Sequence, residues 1–429
     1  MEQIGISVIM PVYNAGIYLE ECLESLFAQT FQNFELICVN DASKDDLTLQ
    51  ILGNYQNRYS NMKVLHLEQN VGAGEARNLG FKEAVGEYIF FLDSDDVYAK
   101  ELLERMYHEG IKADADVCMC GFIGFDSRDE KREPIYEWKP EISKLENKKK
   151  ETYFLSWFMG PINKLCKRSF LIEHNIYFQS LSSQNDIFFS LMIAKAAKRK
   201  GYITETNLLK YRINIPTQIT ANEDPRNLVY AVNLMEETMK QNNLYDELLK
   251  KQLILYLIFR ALDKMTKCRD DNINKECYFL IRDHIQRNQV ADNQKAIYEL
   301  CRKVMEQPYE SRWFEDEIID HIEELHLYRN ELLNCIKNKQ QIFLWGLGKR
   351  GDAFQRFCIE EGIIISGVTD KHNLNIGDST IYGNRIFSTE EVMDREGISI
   401  IASNEDIYKE LENKQVEADI ISLEEYCPI

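Results

Sequence analysis

No surplus of lysine and arginine marks this sequence: its 429 residues carry 51 of them against 70 aspartates and glutamates, a formal net charge of -19. Binding to nucleic acid through counterion release needs clustered basic side chains, so a general nucleic-acid binder is excluded. Nor is there a long apolar run. The longest late stretch, Leu253 to Leu262, is broken by Arg260 and falls far short of the ~20 residues of a membrane span. Met1 leads almost directly into Ile6 to Val12, without a basic segment or a small-residue cleavage site, so no secretory signal is expected. The eleven cysteines form no repeating framework, and the closest pair, Cys118 and Cys120, sits in a strand-like run. Neither they nor the seven histidines have paired zinc-ligand spacing. These absences predict a soluble, cytoplasmic protein with reduced, mostly buried thiols.

What is present is enough apolar sequence, 45% of residues, to bury several cores, and the length suits two or three domains. Short apolar runs alternate with helical patterns: Ile6 to Val12, Gly16 to Ala28, Glu35 to Val39, Lys63 to Leu67, Gly72 to Val85, Tyr88 to Leu92. That alternation predicts β-α-β units and a parallel sheet covered by helices. Between Arg128 and Thr152 the sequence turns polar and lysine-rich. It carries Pro134 and Pro140, which are expected to interrupt regular structure, so the segment reads as an excursion or linker. Residues 226–339 show helical spacing with few glycines, a helical domain or connector. From Gln341 a strand, a glycine turn, a helix and further strand-like runs (Ile363 to Val368, near Ile386, Ile398 to Ala402) predict a small Rossmann-like α/β unit over 340–429.

In doubly wound sheets ligands lie beyond the carboxyl ends of strands, so the residues directly after each strand matter most. The first strand ends in Pro11-Val12-Tyr13-Asn14, where Asn14 can cap the next helix. Another ends in Val39-Asn40-Asp41-Ala42-Ser43, presenting a carboxylate that could accept from a nucleobase imide. After His66 comes Asn70 to Gly74, a glycine turn around Gly72 that opens a helix carrying Arg77 and Asn78; such an end attracts phosphate. Tyr88 to Leu92 runs straight into Asp93-Ser94-Asp95-Asp96, where two carboxylates spaced i and i+2, Asp93 and Asp95, offer hard oxygen ligands to Mg²⁺ or Mn²⁺ held with substrate phosphates. Each motif also has an ordinary reading. Asp93 to Asp96 serves as a helix cap, Asp41 and Ser43 as turn residues, and Asp114-Ala-Asp116 repeats the Asp-x-Asp spacing nearby. Their order, and their common placement after strands, favours one ligand site.

As a set these residues resemble the large family of inverting nucleotide-sugar glycosyltransferases, family 2 type, with the A-type fold. The resemblance continues through Asn163-Lys164-Leu165, Asn185-Asp186-Ile187-Phe188-Phe189, and Tyr211-Arg212 with Thr220 beyond, so it covers about residues 5–220. It implies a catalytic domain over 1–225 in which Pro11, Tyr13 and Asp41 hold the nucleoside. Asn14, Gly72, Arg77, Ser94 and Arg212 lie near the donor, with Arg212 able to meet a phosphate. Asp95 is then the principal ligand of Mn²⁺ or Mg²⁺, Asp93 reaches the donor's ribose or the metal shell, and Asp186 is the general base. One departure is Asn185, where the family commonly has Glu. The resemblance implies transfer of a sugar, with inversion, from a nucleoside diphosphate sugar, foremost a UDP-sugar, to a glycan or lipid-linked saccharide in cell-surface polysaccharide synthesis. Without the resemblance, Asp186 reads as a carboxylate at a helix N-terminus. Trp157 reads either as a sugar platform or, more commonly, as core.

Lys195, Lys198, Arg199 and Lys200, with Lys148 to Lys150, offer a basic patch for peripheral contact with anionic lipid, against the more frequent reading of a solvated helix end. In the last segment, Gly346-Leu347-Gly348-Lys349-Arg350-Gly351 follows a strand, and Asp370 ends the next one. That is the arrangement of a dinucleotide fingerprint, so a second nucleotide site stands beside a purely structural or oligomerising role. The sequence also leaves open a catalytically inactive nucleotide-sensing or scaffolding protein on the same fold, and an NAD-dependent oxidoreductase centred on Gly346 to Gly351.

Overall fold

The computed structural model describes residues 3–128, 131–149, 153–181, 183–213, 224–268, 270–288, 329–347, 349–360, 362–370, 376–380, 382–403, 405–414, 416 and 418–423. Thr220 and Gly348 lie outside them, as does 289–328 of the helical middle segment. The chain divides into two compact units, Met1–Leu253 and Ile254–Ile429.

In the first unit, β1 (Ile6–Val12), β2 (Phe34–Asn40), β3 (Met62–His66) and β4 (Tyr88–Phe91) alternate with α1 (Gly16–Phe27), α2 (Asp46–Arg58) and α3 (Ala73–Glu83). β5 (Val97–Tyr98), α4 (Leu102–Lys112), β6 (Val117–Cys120), β7 (Phe122–Asp126), β8 (Pro134–Trp138), α5 (Ile142–Glu146) and β9 (Lys164–Lys167) follow. Then come α6 (Arg168–Glu173), α7 (Ile187–Ala196), β10 (Lys200–Ile203), β11 (Leu209–Ile213) and α8 (Arg226–Gln241). Seven strands form one sheet in the order β10-β6-β9-β4-β1-β2-β3. Its central strands are buried on both faces, as their continuous hydrophobicity requires. The sheet is not wholly parallel: β9 runs antiparallel to both β4 and β6. From β1 the chain builds outward through β2 and β3, then returns to the other side with β4. The carboxyl ends of β1 and β4 therefore flank a topological switch point, where open α/β sheets bind ligands.

A second sheet, β5-β11-β7-β8, was not expected from the sequence. The segment read as an excursion supplies its edge. Pro134 begins β8, an edge strand, where a proline is tolerated. Trp157 is 2% exposed and packs edge-on to Tyr153, so it belongs to the core and is no open sugar platform. Much of the basic cluster is engaged within the fold. Lys148 Nζ donates to the carbonyls of Lys195 and Ala197 at the end of α7, Arg199 pairs with Asp114 and Asp116, and Lys200 pairs with Glu146.

The second unit carries a parallel sheet ordered β13-β12-β14-β15, from β12 (Ile342–Trp345), β13 (Gly367–Thr369), β14 (Ser399–Ala402) and β15 (Asp419–Ser422). The helix Lys349–Glu360 follows the glycine turn. The strand expected over Ile363 to Val368 shrinks to β13. Its apolar beginning is a connection in which Ile365 packs inward while Ile364 is 86% exposed. The helices Glu247–Lys267 and Asp271–Arg287 occupy the middle of the chain, and no helix among the described residues is long and apolar enough to cross a membrane.

Candidate active site

β4 ends at Phe91 and the chain turns at once, so Asp93, Asp95 and Asp96 fold back together. One carboxylate oxygen of each lies within 4.8 Å of the others. Tyr98 Oη and Cys22 Sγ both donate to the carbonyl of Asp93, which fixes the turn. Like charges held this close raise a buried carboxyl's proton affinity, here at Asp95 and Asp96. Burial, followed by the charge of Asp93, pushes the Asp95 carboxyl up to about 7. Asp96 is also raised well above its ordinary value, by burial and then by Asp95 and Asp93. Asp96 Oδ1 accepts from the Arg212 amide at 2.8 Å, but Oδ2 is buried with no hydrogen-bond partner. An orphaned carboxylate oxygen beside two further carboxylates is a donor set that fits a hard divalent cation.

α3 brings in the counter-charge. Arg77 is 6% exposed, and its guanidinium donates to Asp93 Oδ1 at 2.6 Å and to Asn185 Oδ1 at 3.2 Å, with the Phe178 ring below. The cluster after β4 and the Asn185-Asp186 pair before α7 thus meet at one side chain. Asp186 occupies the N-cap position of α7, yet its side chain makes no capping hydrogen bond. Burial raises its carboxyl, while Arg77 and Lys164 oppose the rise. Lys164 is buried with Nζ on the carbonyls of Phe158 and Gly160, each at 2.6 Å, and on Asn163 Oδ1; burial lowers its ammonium to about 7.

The remaining expected donor residues stand around the same rim. Asp41 directly follows β2 and receives the amides of Val71 (2.7 Å) and Gly72 (2.9 Å), one on each carboxylate oxygen. Gly72 holds φ +84 at the start of α3, a conformation open to glycine. Pro11 lies past the last β1–β4 pair, Ile9↔Phe91, and Tyr13, just after β1, is 49% exposed. Asn14 does not cap α1 as the sequence suggested: Ala15 takes that position. The Asn14 carbonyl oxygen instead accepts from the amides of Lys44 and Asp45, joining the β1 and β2 loops. Ser94 sits within the acidic turn. Arg212 is 2% exposed, its guanidinium lodged between Tyr18 and Phe125, donating to the Asp95 carbonyl at 2.6 Å and to Glu21 at 2.7 Å. It braces the acidic turn from behind.

Sequence reasoning missed Asp96, whose only signal was its place as the third acid in the run, and Glu21, which carries none. The other Asp-x-Asp serves the fold: Asp116 accepts two backbone amides and the Arg199 side chain, and Asp114 pairs with Lys167 and Arg199. In the second unit, Asp370 accepts from the Leu347 amide of the glycine turn. Gly346 holds φ +107, and a Cβ there would stand 1.9 Å from Ser403 Oγ; a Cβ on Gly351 would stand 2.1 Å from the Gly346 carbonyl.

An acidic cluster at the switch point of a mixed α/β sheet, with an adjoining smaller sheet, defines a Rossmann-like A-type glycosyltransferase fold. Residues 7–174 match the family model described as Glycosyl transferase family 2, and that segment is a family 2 glycosyltransferase domain. Among curated relatives, glycosyltransferase GlyG of Streptococcus pneumoniae serotype 4 is 40% identical over 124 residues, 29% of this chain and 41% of its own length. The poly(ribitol-phosphate) beta-glucosyltransferase of Bacillus spizizenii is 34% identical over 198 residues, 45% of this chain and 30% of its own. The chain thus spans less than half the length of these two relatives. The crystal structure of Staphylococcus aureus TarS 1-349 with UDP-GlcNAc superposes with TM-score 0.56 at 24% identity, covering 70% of this chain and 90% of that one.

Proposed function

We propose that the chain transfers a sugar from a UDP-sugar, with inversion, to a hydroxyl of a cell-surface glycan. The observation that carries this reading is the meeting of Asp93, Asp95 and Asp96 with Asn185-Asp186 through the single side chain of Arg77. The relatives whose names specify poly(ribitol-phosphate) transfer, and the UDP-GlcNAc complex of the structural neighbour, support a UDP-sugar donor and a polymeric acceptor.

In this reading Asp95, with Asp93 and Asp96, holds Mn²⁺ or Mg²⁺, and the cation when bound neutralises the leaving diphosphate as a Lewis acid. Arg77 adds positive charge on the same side. Pro11, Tyr13, Asn14 and Asp41 line the nucleoside pocket, and Gly72 lets the chain approach the donor closely. Ser94 and Arg212 complete and brace the turn. Asp186 removes the acceptor proton as general base. Its buried setting gives a carboxylate more basic than an exposed one, which suits that role. The residues that act on donor and acceptor lie within 1–225, with 226–339 a helical domain or connector and 340–429 a small Rossmann-like module. Nine described cysteines are free, which supports a reducing, cytoplasmic setting.

The test incubates the protein with a panel of nucleotide sugars and Mn²⁺ or Mg²⁺ and measures donor hydrolysis and thermal shift. A metal-dependent shift with a UDP-sugar that Asp95→Ala abolishes is expected. Metal-independent binding, or a shift with NAD alone, would overturn the reading.

A further inference from the structure

Resting on the assignment of Asp186 as base, we infer that Asn227, on α8, is a positioning residue for that base. The catalytic machinery then extends into a helix that begins beyond the residues 7–174 matched by the family model.

Asp186 is carried on the loop that leads into α7. Ser183, Gln184 and Asn185 are all polar and all buried, at 2%, 8% and 6% exposure. Such a loop persists only if its polar groups are satisfied and its shape is imposed from outside. Gln184 holds φ +55, a left-handed conformation that costs a side-chain-bearing residue of order 1–3 kcal/mol and survives where its surroundings over-determine it. Two sets of contacts impose that shape. On one side Arg77 holds Asn185 Oδ1, and the Gln179 amide donates to the Asn185 carbonyl. That side is tight, since a Cβ on Gly74 would stand 2.5 Å from the Gln179 carbonyl and 2.9 Å from Asn185 Cβ.

On the other side stands the start of α8. Asn227 is 6% exposed, and its Nδ2 donates to Ser183 Oγ at 3.0 Å and to the Ser183 carbonyl at 3.3 Å. The Asp224 amide donates to the same Ser183 Oγ, and Gln184 Nε2 donates to the Asp224 carbonyl at 3.1 Å. Asp224 is itself fixed by Arg226, which donates to both of its carboxylate oxygens. The strained residue two positions before Asp186 is therefore clamped between α3 and α8. Asn227 never touches a reacting atom; it acts through Ser183 on where Asp186 stands. Orientation of this kind is worth large factors in rate, because a base displaced by about 1 Å can lose up to ~100-fold.

The experiment uses the full chain with UDP-GlcNAc and Mn²⁺ as probe, reading donor hydrolysis with water as acceptor together with amide hydrogen exchange. Asn227→Asp keeps the volume and removes the donor; Asn227→Ala removes both. Met239→Ala, at the far end of α8 and buried, is the control for stability loss alone. Both Asn227 variants are expected to lose about tenfold or more in kcat while the donor KM moves less than about twofold. Exchange at Asn185 to Ile187 should rise, and Met239→Ala should do neither at matched stability. Wild-type kcat in both Asn227 variants, or an equal fall in Met239→Ala, would overturn the inference. If the wild type hydrolyses no UDP-sugar, the activity reading fails by itself. The exchange measurement still decides the positioning claim, which unchanged protection in both variants would overturn.

Discussion

At the scale of single residues, burial and like charge set the behaviour of the site. Asp95 is raised to about 7 against ~3.9 for an unperturbed aspartate, so folding favours its protonated form. A carboxyl raised in the folded state costs stability as pH climbs, from about pH 4 to about pH 7 in this case. Without metal the melting temperature of the first unit should therefore fall across that window. With Mn²⁺ the loss should be recovered, and the metal-induced gain should grow with pH; differential scanning fluorimetry at several pH values reads both. A metal-induced gain that is flat with pH would show that these carboxylates do not hold the ion. Asp186 is raised in the same sense by burial, so activity should be lost on acidification at a higher pH than for an unperturbed aspartate. Where residues follow strands, as Asp41, Asp93 and Asp95 do, their placement was legible in the sequence. What it left silent is who satisfies whom: nothing in the spacing shows that Asn185 meets Arg77, or that Asn14 serves the β2 loop.

At the scale of elements, the two Asp-x-Asp motifs separate by what surrounds them. Asp93 and Asp95 follow a central strand at the switch point. Asp114 and Asp116 lie before β6, where backbone amides and Arg199 satisfy them. Asp116→Asn is expected to cost about 1–3 kcal/mol of stability through lost charge-assisted bonds, and to leave the metal-dependent shift of the first unit intact. Chemical denaturation with a parallel Mn²⁺ titration checks both halves. The β-α-β pattern through β4 was legible because buried parallel strands and amphipathic helices have distinct periods. The antiparallel β9 and the second sheet were not. Short strands of four or five residues carry too little periodicity, and the proline at 134 masks an edge strand that tolerates it.

At the scale of the whole molecule, two units with separate sheets should fail separately. Gly346→Val forces a side chain to φ +107 and onto Ser403, about 1–3 kcal/mol from the backbone alone, so calorimetry should show one transition moving down while donor hydrolysis persists. Loss of hydrolysis with that variant would tie the second unit to catalysis. The central claim is that Asp186 drives an inverting displacement on a donor whose diphosphate is held at Asp93, Asp95 and Asp96. Its most direct test is the anomer of the sugar first released from UDP-GlcNAc, whose sugar is α-linked, followed by proton NMR before mutarotation. The account predicts the β anomer, formed by the wild type and not by Asp186→Asn. The α anomer, or undiminished release by Asp186→Asn, would contradict it.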